Sequence, residues 1–327
     1  MNRRAFLTSA AAFVAGSIGG FRPVLAQTGS TQPIRVIIGA AAGSAMEPYA
    51  RLVSEHMAKS LGRTMIVEPK VGGGGNIAAQ FVADAPADGN LILIGNQGLL
   101  EINPSAFSDV KWSLKDFNPL IRGVQAPLVL VTHASVPAKT LGELVAWIKS
   151  NPGKLSYSSY SPGTPSHFLG FQLNERFGLD LAHVPYRGSG PQTTDLMAGH
   201  SLLGFAQLQT TLPHIAAGKL RAIATTGGER SSFLPDVPTF TELGQAEFTT
   251  KIWFGLVVRA GTPVAVAESL LNAAKSAHAD PDVRAKLEAQ GFEMSGESGP
   301  AFAADIRAQG ERWARLVKAS GFKGDGG

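Results

Sequence analysis

The sequence predicts an α/β protein of two lobes, and three observations carry that prediction. β-branched apolar runs alternate with amphipathic stretches along most of the chain. Glycine and proline, 38 and 20 in 327 residues, punctuate nearly every junction. One α/β series is interrupted by another and then resumes. Alternation of this kind puts strands into mostly parallel sheets flanked by helices on both faces. Two strands passing between the series make a hinged clam, and ligands in such folds sit between the lobes at the carboxyl ends of strands.

The elements follow in order. IRVII (34–38) is a strand, and the loop GAAAGSAM leads into a helix with Tyr49, Leu52, Val53 and Met57 on one stripe and Pro48 in its first turn. TMIVE (64–68) is a second strand, followed by the glycine loop and the helix NIAAQFVADA; LILIG (91–95) is a third. PLVLVTH (127–133) opens the inserted series. That series holds the helix 140–150, the strand 155–160, the helix 166–177, the strand 182–186, the helix 193–199 and the strands 201–205 and 221–226. IWFGLVV (252–258) returns to a buried strand, and two amphipathic stretches, 264–291 and 299–319, close the chain. The expected parts are a leader (1–26), lobe 1 from 30–127 and 254–327, and lobe 2 from 128–253.

Residues 1–26 read as an export signal. Arg3-Arg4 precede a short Ala/Gly-rich apolar stretch, and Val24-Leu25-Ala26 forms a cleavage site. Asn-Arg-Arg-Ala-Phe-Leu approaches a twin-arginine signal, with Asn2 where Ser or Thr is usual. Cleavage removes Arg3, Arg4 and Arg22, leaving 26 basic against 25 acidic residues, so the charge is no argument for a nucleic-acid partner. The absence of cysteine rules out disulfides, thiolate catalysis and zinc–thiolate sites. Beyond the leader no segment approaches the apolar length that spans a bilayer.

Several chemical motifs fail on inspection. Gly73, Gly75 and Ala78 satisfy G-x-G-x-x-A after a strand and before a helix, yet the next strand ends in Asn96 rather than the acid that would hold a ribose. GHSLLG (199–204) has Leu203 where a nucleophile turn needs its second glycine. Ser166 and His167 are neighbours on a helix and point about 100° apart, so they do not form a nucleophile–base pair by adjacency. The seven histidines show no metal-binding spacing, and no cofactor is expected.

What recurs is a loop type. GAAAGSAM (39–46), GGGGN (72–76), SPGTPS (161–166) and RGSGPQ (187–192) each join a strand to a helix with small, hydroxyl or glycine residues. Helix N-termini present free N–H groups and a partial positive charge, which suits an oxyanion. Ser44, Ser161, Thr164 and Ser166 can equally be helix caps, worth ~1 kcal/mol each.

In its GGGGNI segment, the Ala-x-x-Asp-Gly turn APADG (85–89) and the segment HVPYRGSG, the chain resembles the extracytoplasmic solute receptors of tripartite tricarboxylate transporters, the Bug family. KVGGGGNIAAQFVADAPADGNLILIGNQG, HVPYRGSGPQTTDLMAG, LPHIAAGKLRAIATT, ERSSFLPDVPTFTELG and WFGLVVRAGTP match its blocks in order, as does SVPAKTLGELVAWIKSNPGKLSYSS. The resemblance implies a type II periplasmic binding-protein fold, and a monomeric, non-catalytic receptor in the periplasm. It also implies a small organic carboxylate held by amides, hydroxyls and waters, and integral-membrane transporter subunits as partners. The candidate binding residues are Ala42, Ser44 and Glu47 in the first loop, Asn76 and Gln97 beyond the second strand, and Ser159, Tyr160, Gly163, Thr164 and Ser166 around the third loop. Ala206 and Gln207 stand where the family has Asp-Asn, and losing that acid disfavours ligands with an amino group. Two other readings stand beside this one: a secreted small-ester hydrolase using Ser166 or Ser201, and a ligand-dependent co-sensor for a signalling receptor.

Overall fold

A computed structural model describes residues 32–41 and 43–324; the expected leader lies outside them. Its strands are β1 (Ile34–Ile38), β2 (Met65–Pro69), β3 (Leu91–Asn96), β4 (Phe117–His133), β5 (Ser156–Ser159), β6 (Ala182–Pro185), β7 (Leu203–Gln207), β8 (Leu220–Thr225), β9 (Lys251–Arg259) and β10 (Glu293–Met294). The helices are α1 (Met46–Leu61), α2 (Asn76–Ala83), α3 (Asn103–Ala106), α4 (Leu141–Lys149), α5 (Pro165–Phe177), α6 (Ser189–Ala198), α7 (Leu208–Ala216), α8 (Val264–Ala279), α9 (Pro281–Glu288) and α10 (Gly299–Ser320). No helix among the described residues is long and apolar enough to cross a membrane.

The strands run in the order β2-β1-β3-β9-β4-β7-β5-β6, with β8 and β10 also on β4. Both ends of this curled sheet are parallel: β1 with β2 and β3, and β5 with β6 and β7. Its middle is antiparallel and depends on one long strand. From Phe117 to Pro127, β4 pairs with β9; from Leu128 to His133, it pairs with β7 and β8. Thr226 ties the crossing together: its hydroxyl donates to the Thr250 carbonyl at 2.7 Å and accepts from Leu128 N at 2.9 Å.

Local sequence explains many boundaries. Thr140 and Glu143 form a reciprocal capping box that starts α4. Asp280 caps α9 ahead of Pro281. Gly62 closes α1 in the left-handed conformation.

Several elements differ from the sequence reading, among them the short α3 and β10, which it does not contain. The stretch 117–126 belongs to β4, although Pro119 and Gly123 punctuate it; register shifts at Pro119/Ile121 and Arg122/Val124 show that these residues mark bulges rather than an end. Helix α7, LQTTLPHIA, falls between two expected strands where the sequence reading has no element, and it contains Pro213. The helix accommodates it by leaving the Gln209 carbonyl without its usual N–H donor. Helix α6 also begins earlier than expected, because Ser189, Gly190 and Pro191 already form its first turn.

Candidate functional site

The four small-residue loops converge. Together with Asn96–Gly98, Gln207 and Ile252–Phe254 they line one cavity of about 730 Å³, within the range of small-molecule sites. It lies at the carboxyl ends of β1, β3, β5, β6 and β7, each of which runs into a lining residue.

Among the described residues, the N-cap residues of five helices line this cavity: Ala45 of α1, Gly75 of α2, Thr164 of α5, Gly188 of α6 and Gln207 of α7. No side chain caps any of these five ends. Five uncapped N-termini around one space give it a positive potential without a cluster of cations.

The four glycines that stood out in the sequence have a backbone role. Gly72, Gly73, Gly74 and Gly75 have φ of 139°, 53°, 64° and 97°, a run of left-handed conformations closed to residues with a Cβ. The loop is held from behind, where Asn103 Nδ2 donates to the Gly74 carbonyl at 3.1 Å and to Asn76 Oδ1 at 2.9 Å. Its approach to the first loop is equally tight, since a Cβ on Gly39 would lie 2.9 Å from Gly75 Cα.

Of the residues expected from sequence, Ser44, Gln97, Tyr160, Thr164 and Gln207 line the cavity. Ser44 Oγ is buried without a hydrogen-bond partner, as is Gln97 Oε1. Gln97 Nε2 donates to Thr250 Oγ1 at 3.0 Å. Thr164 needs a correction: its single hydroxyl proton points to the Ser161 carbonyl at 2.6 Å, so it is not free to donate to a ligand. Burial pushes the Tyr160 phenol well above its ordinary range.

The remaining expected residues stand behind or beside the wall. Glu47 turns to Arg51 at 2.6 Å and accepts from Gly43 N at 3.3 Å. The Arg51 hydrogen bond, followed by that from Gly43, holds its carboxyl below the usual range. It braces the first loop. Asn76 faces Asn103, and Gly163 N reaches His167 Nδ1 at 3.3 Å. Ser166 Oγ donates to the Phe205 carbonyl at 2.5 Å, and Ser159 Oγ pairs with His183 Nε2 at 2.7 Å. Ala206 is buried against Val129 and Val131. Ala42 lies outside the described residues.

The sequence reading missed the loop after β6. Tyr186, Arg187, Gly188, Ser189, Gly190 and Pro191 all line the cavity, and Ser189 Oγ, like Ser44 Oγ, is buried without a partner. The loop is one of the four of its type, yet none of its residues is among the candidates named from sequence. Arg187 is the one charged side chain among the described lining residues, and no Asp or Glu joins it. Met46, Val71, Ile252, Trp253 and Phe254 supply an apolar wall.

The hydroxyls that a hydrolase would need are committed elsewhere. Ser166 donates to Phe205 O and Ser201 to Leu203 O at 3.2 Å, and neither lines the cavity. His167 does not face Ser166 as a base; it stacks on His183 with ring centroids 3.9 Å apart.

Comparison with known proteins agrees with this geometry. The model of the tripartite tricarboxylate transporter family receptor matches residues 49–322. BugT of Bordetella pertussis is 30% identical over 331 residues, covering 99% of both chains. The solved structure of the periplasmic binding protein BugD is 32% identical, with a TM-score of 0.82 over 89% of this chain and 98% of that one. The structure of R. palustris Rpa4515 with adipate is 27% identical, with a TM-score of 0.84 over the same shares, 89% and 98%. With the two-lobed α/β fold of periplasmic binding proteins and a cavity ringed by helix N-termini, the chain belongs to the tripartite tricarboxylate transporter family of solute-binding receptors.

Proposed function

We propose that this chain is a periplasmic receptor that captures a small organic carboxylate without transforming it and delivers it to membrane-embedded transporter subunits. The carrying observation is the ring of five helix N-termini, with two buried, unpartnered serine hydroxyls, around a cavity with no acidic side chain among its described lining residues. That chemistry suits an oxyanion and offers no counter-charge to an ammonium group. The apolar wall of Met46, Val71 and Trp253 favours a ligand with a hydrocarbon body. Adipate in Rpa4515 is a ligand of this kind.

Lobe 1 comprises 30–127 and 254–327, and lobe 2 comprises 128–253. The exchange of partners along β4 at Pro127–Leu128 supports that division. The loops approach each other across the cavity, where a Cβ on Gly190 would lie 3.8 Å from the Gly43 carbonyl. A ligand touching both sides binds the closed form better and shifts the population toward it. The protein works as a monomer, exported by a leader cleaved after Ala26.

Titration calorimetry over mono-, di- and tricarboxylates and amino acids tests the reading. Binding of at least one carboxylate with no response to amino acids is the expected result, and binding of amino acids alone would overturn it. Spin labels at Pro48→Cys in the first turn of α1 and Thr194→Cys in the second turn of α6 should draw closer on saturation; the chain has no native cysteine to interfere.

A further inference from the structure

Behind the cavity wall, between two of the loops that form it, sits a phenyl ring that the binding scheme leaves unused. Phe107 follows α3, is 7% exposed and is not a lining residue. The tip of its ring lies against Gly74, in the loop after β2, and against Gly163, in the loop after β5. A Cβ on Gly74 would lie 3.2 Å from Phe107 Cζ, and a Cβ on Gly163 would lie 3.1 Å from Cε2. The opposite edge is closed by Gly324, where a Cβ would run into Cδ1 and Cε1. Gly74 and Gly163 have φ of 64° and 71°, so both positions disfavour a side chain and let the ring reach the backbone.

The ring is also fixed from behind. Gly324 N donates to the Ala106 carbonyl at 2.7 Å, tying the segment after α10 to the end of α3. Phe322, in that segment, meets Phe107 edge to face with centroids 6.2 Å apart. It packs equally on His167 and Phe168 of α5, at 4.8 and 5.8 Å. Asn103 of α3 holds the Gly74 carbonyl from the other side. A ring so enclosed in a close-packed interior keeps apart whatever it touches. What it touches bears on the site. Gly74 precedes Gly75, the N-cap of α2, and Gly163 precedes Thr164, the N-cap of α5. These are two of the five uncapped helix ends around the cavity.

We propose that Phe107 is a positioning residue: it sets the separation between the N-termini of α2 and α5, and with it the length of carboxylate that the receptor prefers. A ligand that reaches both helix ends must match their spacing, and a rigid ring between the loops fixes that spacing more sharply than the loops alone. The proposal rests on the reading of the cavity as a carboxylate site. It adds a length gauge that lies outside the lining itself.

The test has two arms, each using wild type, Phe107→Leu and Phe107→Tyr. Leucine lacks the ring tip, so the loops should close in; tyrosine adds a hydroxyl at Cζ, against Gly74, and should push them apart. In the first arm, the ligand-free proteins are crystallised in one crystal form and the Gly74–Gly163 separation is compared. It should be shorter in Phe107→Leu and longer in Phe107→Tyr; one separation in all three would overturn the proposal. In the second arm, succinate and adipate are titrated into each protein. The ratio of succinate to adipate affinity should rise roughly tenfold in Phe107→Leu, the low end of what a methylene is worth in a fitted site, and should fall in Phe107→Tyr. Equal loss for both acids in both variants would leave Phe107 a packing residue only, and the gauge would be refuted. Wild type that binds neither acid would count against the ligand reading alone, since the Gly74–Gly163 separation still decides whether the ring spaces the walls.

Discussion

Ser44 and Ser189 enter the cavity from the loops after β1 and β6 with buried hydroxyls that no protein group engages. Around the loop after β5, Ser159 at the strand end and Thr164 both donate to the Ser161 carbonyl, and Ser166 in the first turn of α5 donates to the Phe205 carbonyl. The two regions have almost the same composition and the same strand-to-helix position. In one, the donors remain for a ligand; in the other, they are consumed in shaping the loop. A hydroxyl's value to a ligand therefore depends on whether a carbonyl lies within reach of it, which neither residue type nor spacing reveals.

The largest test of this contrast is to remove the free donors. Ser44→Ala and Ser189→Ala should each weaken carboxylate binding by ~1–3 kcal/mol, the usual worth of a hydrogen bond to a charged group, with little change in melting temperature. Calorimetry with the tightest carboxylate of the panel reads this. Unchanged affinity in both variants would mean that the ligand is held by backbone N–H groups alone, and the comparison between the loops would lose its basis.

Acid should next expose how the committed loop is supported. His167 and His183 stack within 4° of parallel, and His183 bonds Ser159 Oγ. Burial lowers both pKa values, to about 3 for His167, where His183 adds to the effect, and to about 4 for His183. In the unfolded chain these imidazoles titrate near 6.5. Between that pH and about 3 the unfolded chain binds protons that the folded one does not, so stability falls as the pH falls. Melting temperature should drop between pH 6.5 and 4.5, by roughly 2–4 °C for each kcal/mol lost. His183→Leu should drop less. Glu101 has the opposite slope over this range, because burial raises its folded pKa to about 8, so wild type and variant are compared at each pH. Parallel curves would place the acid sensitivity elsewhere.

Thr164 gives a smaller and cleaner effect. Thr164→Val removes the donor to Ser161 O and should cost about 1 kcal/mol of stability while leaving carboxylate affinity unchanged. Weakened binding with intact stability would show that the hydroxyl turns to the ligand, and would bring the two loops back to one role.

The legibility of the molecule follows the same division. Alternating apolar runs located most of the strands and helices because their periodicity is local. The convergence of four glycine- and hydroxyl-rich loops was also readable, since each sits at a strand-to-helix junction. Strand 117–126 was hidden because its proline and glycine mark bulges, a feature that depends on the partner strand β9. Thr164 and Ser189 could not be ranked because the choice turns on where one carbonyl lies in three dimensions. Phe107 carries no motif at all; its interest arises only from its burial against glycines of two loops distant in sequence.

Arg187 gives the smallest expected effect, and it extends the comparison to charge. It is exposed, makes no ion pair among the described residues, and lies at the cavity between Tyr186 and the uncapped end of α6. Water screens such a cation, so its direct contribution to holding an anion is about 0.2–1 kcal/mol, a change of about 1.4- to fivefold in affinity. Its influence on encounter is longer-ranged and decays with salt over a Debye length of ~8 Å near physiological ionic strength. Arg187→Gln should therefore lower the association rate for a dicarboxylate more than for a monocarboxylate, and mainly at low salt. Stopped-flow binding across ionic strength separates these effects. An equal loss for both ligands at every salt concentration would mean that Arg187 touches the one carboxylate they share, and the hydroxyls of Ser44 and Ser189 would then be secondary to it.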